Sequence, residues 1–219
     1  MTREEYIKYT NVVEDWAPGW EAIDNCLKRL YHNQEPKHFA SPMPQRAIFG
    51  GEHYLDGISI YQSSKGHKHI VTYGMSELYT NIEAFGGEFS KWGYEMTIKL
   101  PMCADSECMW AIDVLSSLAK YTFTQGRYFE PFECISGSGN PIKIGSGSKL
   151  TAFIATKDTE LEEVNTIHGK LDFIQLVGIT QRELEKLIKE PAFGRELVDN
   201  MTEDNPLLIT DLSRTIEYV

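Results

Sequence analysis

Trp92-Gly93-Tyr94-Glu95-Met96-Thr97-Ile98-Lys99-Leu100 is the stretch that decides the fold. Trp92, Tyr94, Met96, Ile98 and Leu100 alternate with Gly93, Glu95, Thr97 and Lys99. A strict period of two predicts a strand with one buried face. Upstream, Arg46–Gly50, Leu55–Tyr61 and His67–Tyr73 are short and rich in apolar and β-branched residues, and Gly50-Gly51 marks a turn between the first two. Downstream, Leu150–Ala155 reads as a further strand and Leu171–Ile179 is a nearly continuous apolar run, the pattern of a strand buried on both faces. A last strand is expected at Leu207–Thr210.

Helices frame these strands. The first thirty residues read as two helices broken at Pro18-Gly19, with Trp20, Ile23, Leu27 and Leu30 at helical spacing in the second. A helix is expected from about Trp110 to Gly126, with Ile112, Leu115, Leu118, Ala119 and Thr122 on its inner face and Gly126 ending it. Thr180-Gln-Arg-Glu183 is a capping-box sequence opening a helix that stops by Pro191, and a short helix follows around Arg195–Met201. Residues 33–45 and 136–149 read as loops. Neither a repeat nor a long linker interrupts the chain, so residues 1–219 are expected to form one α+β domain, a mixed β-sheet flanked by helices.

The chain has 32 acidic and 21 basic residues, a net charge of −11, with 42% hydrophobic and 24% charged residues. A chain of this length buries roughly 70% of its extended surface and needs no metal or disulfide to fold. Nucleic-acid binding draws on clustered Lys and Arg, and the densest cluster is only Lys65-Gly66-His67-Lys68. An acidic surface suits a basic protein partner, although acidity also serves plain solubility. No apolar run approaches the ~20 residues that span a bilayer. With no signal peptide at Met1-Thr-Arg-Glu-Glu, the cytoplasm is the expected location and Cys26, Cys103, Cys108 and Cys134 are expected to be reduced.

Signatures of chemistry are weak. His67-x-His69 on a strand places two imidazoles on one face, where Glu77 or Asp56 could supply a third metal ligand. The preferred reading makes them hydrogen-bonding residues near a sheet edge, with no metal and no cofactor. Cys103-x4-Cys108 has no second cysteine pair to complete a zinc pattern. Gly145-Ser146-Gly147-Ser148-Lys149 lacks phosphate-loop spacing, and Gly74-Met75-Ser76-Glu77 lacks the closing glycine of a nucleophile elbow. Asp56 and Glu95 are strand carboxylates with no sign of pairing, and Glu95 could as easily lie on the surface.

From about residue 16 to 217 the sequence resembles the suppressor-of-fused domain family. The resemblance is carried by Leu55-Asp56-Gly57-Ile58-Ser59-x-Tyr61, by His67-x-His69-Ile70-Val71-Thr72-Tyr73-Gly74-Met75-Ser76-Glu77-Leu78-Tyr79 and by Gly93-Tyr94-Glu95-Met96-Thr97-Ile98-x-Leu100. Trp110 with Leu118-Ala119-x-Tyr121-Thr122-Phe123, Phe173-Ile174-Gln175-x-Val177-Gly178-Ile179 and Leu208-Ile209-Thr210-Asp211-x-x-Arg214 extend it. It implies a mixed-sheet domain without catalytic activity. Animal members sequester a transcription factor of the Hedgehog pathway and carry a second, C-terminal domain. This chain ends where their first domain ends, like the single-domain bacterial members, many of which look like immunity proteins that neutralise a toxin. The resemblance places a peptide-gripping tyrosine at Tyr121 and an acidic residue at Glu133. Phe132 and Cys134 depart from the Gly and His common beside that acid, and Lys68 stands where Trp is common.

The expected function is thus a non-catalytic protein-binding module, an immunity-type protein holding a basic partner. Its surface is expected around Tyr121, Glu133, His67, His69, Tyr73 and Glu77. The alternatives are a metal-dependent enzyme using His67, His69 and Glu77, and a self-associating scaffold.

Overall fold

The alternating stretch lies within β4 (Phe89–Pro101), an inner strand of an eight-stranded sheet. The computed structural model describes residues 1–32 and 34–219. The other strands are β1 (Lys37–Ala40), β2 (Gly57–Gln62), β3 (His67–Tyr73), β5 (Cys134–Ser136), β6 (Leu150–Lys157), β7 (Val164–Thr166) and β8 (Gly169–Thr180). They run in the order β1-β2-β3-β4-β8-β6-β5, with β7 paired to β8. All neighbours are antiparallel except β4 and β8, which run parallel with Glu95 opposite Phe173 and Met96 opposite Ile174. The helices are α1 (Arg3–Thr10), α2 (Pro18–Leu30), α3 (Met109–Gln125), α4 (Gln181–Lys189) and α5 (Phe193–Asp204). None is long and apolar enough to cross a membrane, among the described residues.

Alternation along the inner strands divides the core between the two faces of the sheet. Ile70, Met96, Ile98, Leu100, Ile174 and Leu176 pack with Ala111, Leu115 and Ala119 of α3. On the opposite face, Tyr61, Val71, Tyr73, Leu171 and Phe173 pack with Ile23 and Leu27 of α2. Further along that face, Ile154, Val177 and Ile179 meet Leu184 and Leu187 of α4 and Leu197 and Val198 of α5. This second layer corrects the expectation for β4. Glu95, Thr97 and Lys99, read as the solvent side, are fully buried.

Local signals set the helix ends. Gly126 takes up the left-handed conformation (φ 66°) and closes α3, and Thr180 caps α4 through the reciprocal bonds with Glu183 that the sequence predicts. The α4 cap residue, Glu190, directly precedes Pro191. Ile112 and Leu118 are only half-buried, so the inner face of α3 is Ala111, Leu115, Ala119 and Thr122.

Several elements differ from expectation. Arg46–Gly50 is no strand: it holds a 3-10 turn, Ala47–Phe49, closed by left-handed Gly50, with Ile48 and Phe49 exposed. Leu207–Thr210 is no strand either. The Asn205 side chain bonds both the N–H and the C=O of Ile209, which folds the backbone into a turn with Leu208 at φ 51°. Three-residue β7 and four-residue β1 are too short for period two to register. β1 falls inside the expected loop 33–45, of which residue 33 lies outside the described residues.

Pro18-Gly19, read as a break, is the first turn of α2, with Pro18 at its first position. The N–H groups of Gly19 and Trp20 both donate to the Leu78 carbonyl, at 3.0 and 3.3 Å. A Cβ on Gly19 would overlap the Glu77 carbonyl oxygen. Gly→Ala inside a helix ordinarily gains about 1 kcal/mol. Here we expect Gly19→Ala to destabilise by about 1–3 kcal/mol through overpacking, measured by urea unfolding. A variant as stable as the wild type removes the close approach.

Candidate functional site

Two places on the sheet gather polar side chains, and they are different in kind. The first is a seam between the α2 and α4–α5 clusters. Asp158, just past β6, is fully buried at the side chain. Its Oδ2 accepts from His69 Nε2 at 2.9 Å and from Thr97 Oγ1 at 2.6 Å. Its Oδ1 accepts from Lys99 Nζ at 2.9 Å and from the backbone N–H groups of Glu160 and Leu161. Lys99 Nζ also bonds Thr159 Oγ1 at 2.6 Å and lies 3.2 Å from Glu160 Oε2. Lys65 reaches the other Glu160 oxygen at 2.9 Å from the solvent side. Two carboxylates thus face two ammonium groups, and the seam is close to neutral.

Protonation follows from this packing. Burial pushes His69 below its ordinary value and Asp158 only partly offsets it, so the ring is neutral. It then donates from Nε2 and accepts the Tyr31 hydroxyl proton at Nδ1, 2.7 Å away; burial holds that phenol far above its usual range. Burial alone would raise the Asp158 carboxyl, but the His69 hydrogen bond and the Lys99 charge override it and hold it well below the carboxylate range. Glu160 follows the same logic, its burial outweighed by His67, Lys65 and Lys99.

His67, His69 and Glu160, rather than Glu77, come within 4.8 Å of one another. Both nitrogens of His69 are engaged, and the Lys99 ammonium already lies against Glu160 where a cation would be held. That donor set does not suit a metal ion. His67 Nε2 lies 3.0 Å from Glu160 Oε2, within ion-pair reach. The histidines are not at a sheet edge either, since β3 lies between β2 and β4.

Glu77 and Asp56 lie beyond the other end of the seven-residue β3, which spans about 20 Å. The Glu77 carboxylate accepts from Asn81 Nδ2 at 2.9 Å. Asp56 accepts from Arg46 and Tyr79. Tyr73 is buried, stacked on Trp20 and bonded to Asp24. The partner-facing surface expected around the histidine strand is therefore interior: His67, His69 and Tyr73 expose almost nothing. Glu95 is interior as well. Its carboxylate accepts from the N–H groups of Gly74, Met75 and Ser76 and from the hydroxyls of Thr72 and Ser76. It pins the turn that follows β3, while burial pushes its pKa up.

The second place is a cleft of about 400 Å³ at the opposite end of the sheet. Tyr121, on the last turns of α3, is partly exposed and stacks on Phe129 with centroids 6.3 Å apart. Phe132 N–H donates to the Ala155 carbonyl at 2.7 Å, and Ala155 N–H donates to the Glu133 carbonyl at 2.8 Å, which fixes residues 132–133 against β6. The exposed Glu133 carboxylate accepts from Glu130 N–H at 3.0 Å. Tyr121 and Glu133, twelve positions apart, line one cleft together with Arg127 and Leu187. β5 follows directly and ends the sheet. A more apolar cleft of about 560 Å³, lined by Trp110, Leu118, Ile135 and Phe153, flanks the same strand.

Comparison with known proteins gives consistent matches. The sequence family described as Suppressor of fused protein (SUFU) matches residues 51–215. The Suppressor of fused homologs of Mus musculus and Homo sapiens are each 28% identical over 215 residues, covering 90% of this chain and 43% of their own length. The chain thus spans less than half of the curated relatives it matches. Among solved structures, the Sufu–Fu complex crystal structure superposes with a TM-score of 0.78 at 23% identity over 92% of each chain. Drosophila Suppressor of Fused gives 0.78 at 24% identity, over 94% of this chain and 52% of that one. A SUFU homolog from Neisseria gonorrhoeae gives 0.61 at 16%, over 92% and 97%. These structures share the fold.

Removing one partner of a buried ion pair strands the other, so Lys99→Met is expected to lose about 3–5 kcal/mol in urea unfolding at neutral pH. A loss under about 1 kcal/mol contradicts the pairing. The pH dependence has a defined sign. Unfolded His69 takes a proton near 6.5 and the folded ring resists it, so stability declines as pH falls below 6.5. Asp158 and Glu160, depressed in the fold, add a steeper loss as pH falls below their ordinary 3.8 and 4.5. Unfolding free energies measured from pH 8 to 3 should show both limbs, and His69→Gln should shrink the upper one.

Proposed function

The chain belongs to the suppressor of fused family, matched over residues 51–215, and on that premise we propose that it is a non-catalytic module that binds a protein partner. What supports this reading is the meeting of Tyr121 and Glu133 in one cleft beside the strand that ends the sheet. Tyr offers a large, rigid contact with a polar tip, and an exposed carboxylate selects a basic group. An extended segment pairing with β5 would place alternate side chains on its two sides, one toward the Tyr121–Glu133 cleft and the other toward the apolar cleft. A structural relative with the same fold is itself the Sufu–Fu complex crystal structure.

In its specific form the proposal is an immunity-type protein of a bacterial toxin system, acting in the cytoplasm on a basic toxin. The net charge of −11 favours capture of such a partner at low ionic strength. No catalytic role is assigned to the buried seam, whose charges are paired with one another.

The test begins with a tagged pull-down from the native host at low salt, followed by titration of the protein recovered. Glu133→Lys should weaken that complex by about tenfold, near 1.4 kcal/mol, with the difference shrinking as salt rises. Tyr121→Ala should cost about 2 kcal/mol or more, as an aromatic anchor. Both variants should melt within a few degrees of the wild type, because both side chains are exposed. Unchanged affinity in both would falsify the placement of the site.

A further inference from the structure

Cys103 and Cys108 bracket the tight turn that links β4 to α3. Their Sγ atoms lie 3.5 Å apart and both thiols are free. The turn is braced from within: Ala104 N–H donates to Glu107 Oε2 at 3.0 Å, and Glu107 N–H returns to the Ala104 carbonyl at 2.9 Å. It is also tied outward, since Asp105 accepts from Lys68 Nζ at 2.8 Å and lies 3.7 Å from Lys37 Nζ. The two sulfurs are therefore held in contact by surrounding bonds.

The pair is asymmetric. Cys108 is fully buried, its S–H within 3.8 Å of the Ala104 carbonyl, and burial pushes its thiol up to about 12. Cys103 is partly exposed. Cys26 and Cys134 lie on other elements, α2 and the start of β5.

We propose that Cys103 is a thiol-modification site for small-molecule disulfides of the glutathione type, and that Cys108 is its resolving partner. The Cys103 thiolate attacks one sulfur of the incoming disulfide; that S–S bond breaks and one thiol leaves, carrying the proton Cys103 gave up. A mixed disulfide remains on Cys103. Cys108 then loses its proton and attacks Cys103 Sγ, forming the internal Cys103–Cys108 bond and expelling the second thiol. One external disulfide is reduced to two thiols, and the protein pair is oxidised by two electrons. The sulfurs need to approach by only about 1.5 Å to reach bonding distance. Their proximity compensates for the low acidity of Cys108 by making the second step intramolecular.

The test exposes the reduced full chain to glutathione disulfide without oxygen, traps the remaining thiols by alkylation, and reads intact mass and linked peptides. The wild type should lose two hydrogens and yield a Cys103–Cys108 linked peptide, at least tenfold faster than adducts form on Cys26 or Cys134. Cys108→Ser should stop at one glutathione adduct on Cys103, and Cys103→Ser should leave Cys108 unmodified. Cys108→Ala serves the same purpose if a hydroxyl at that buried site disturbs the fold. A stable adduct on Cys103 in the wild type without linkage, or four cysteines reacting at similar rates, overturns the proposal.

Discussion

Asp158 and Lys99 meet where no water reaches, and that contact governs how the rest of the sheet assembles. Each charge taken alone into the interior costs several kcal/mol, and the pair is tolerable only because its remaining hydrogen-bonding capacity is filled. Asp158 fills its own with His69 from β3, Thr97 and Lys99 from β4, and two backbone amides of its own turn. One side chain therefore reads the register of two strands at once. A slip of one residue in β4 would turn Thr97 and Lys99 to the α3 side, into Leu115 and Ala119, and leave the carboxylate unpaired. Apolar burial on both faces supplies the driving force, while the seam specifies which alignment wins.

The cleft at Tyr121 depends on that rigidity at one remove. β6 and β8 are paired along most of their length, so Ala155 offers a fixed carbonyl and amide to Phe132 and Glu133. Gly126 ends α3 abruptly, and the chain returns to the sheet within a few residues. Tyr121 is thereby presented from a helix and Glu133 from a strand margin, both anchored by backbone hydrogen bonds. A cleft built this way has little conformational freedom left to lose.

Much of the fold was legible in the sequence because period two and capping chemistry are local. The α4 capping box, the Gly126 stop and the doubly buried run at 171–179 needed nothing beyond their neighbours. The meeting of Tyr121 and Glu133 came from family resemblance, and it could not be read from spacing alone. The interior polar residues were not legible. Alternation in β4 shows that Glu95, Thr97 and Lys99 share a side but says nothing of what covers it, and α2, α4 and α5 are distant in sequence. For the same reason His67 and His69 suggested an edge, and Glu77 suggested a third ligand, whereas Glu160 lies beside them through a contact spanning more than ninety residues. Arg46–Gly50 failed differently: Ile48 and Phe49 are apolar but exposed, so composition mimicked a strand that packing did not require.

The parallel pairing of β4 with β8 bears on synthesis. Every other neighbour in the β1–β4 meander is complete once β4 has left the ribosome, yet β4 must wait for Phe173 and Ile174 to be made before its second edge closes. During that interval the nascent chain carries an open template for intermolecular strand addition. Until Asp158 is made, Lys99 is a charge without its buried partner on that half-built surface, and a charged side chain beside an open strand edge disfavours strand addition.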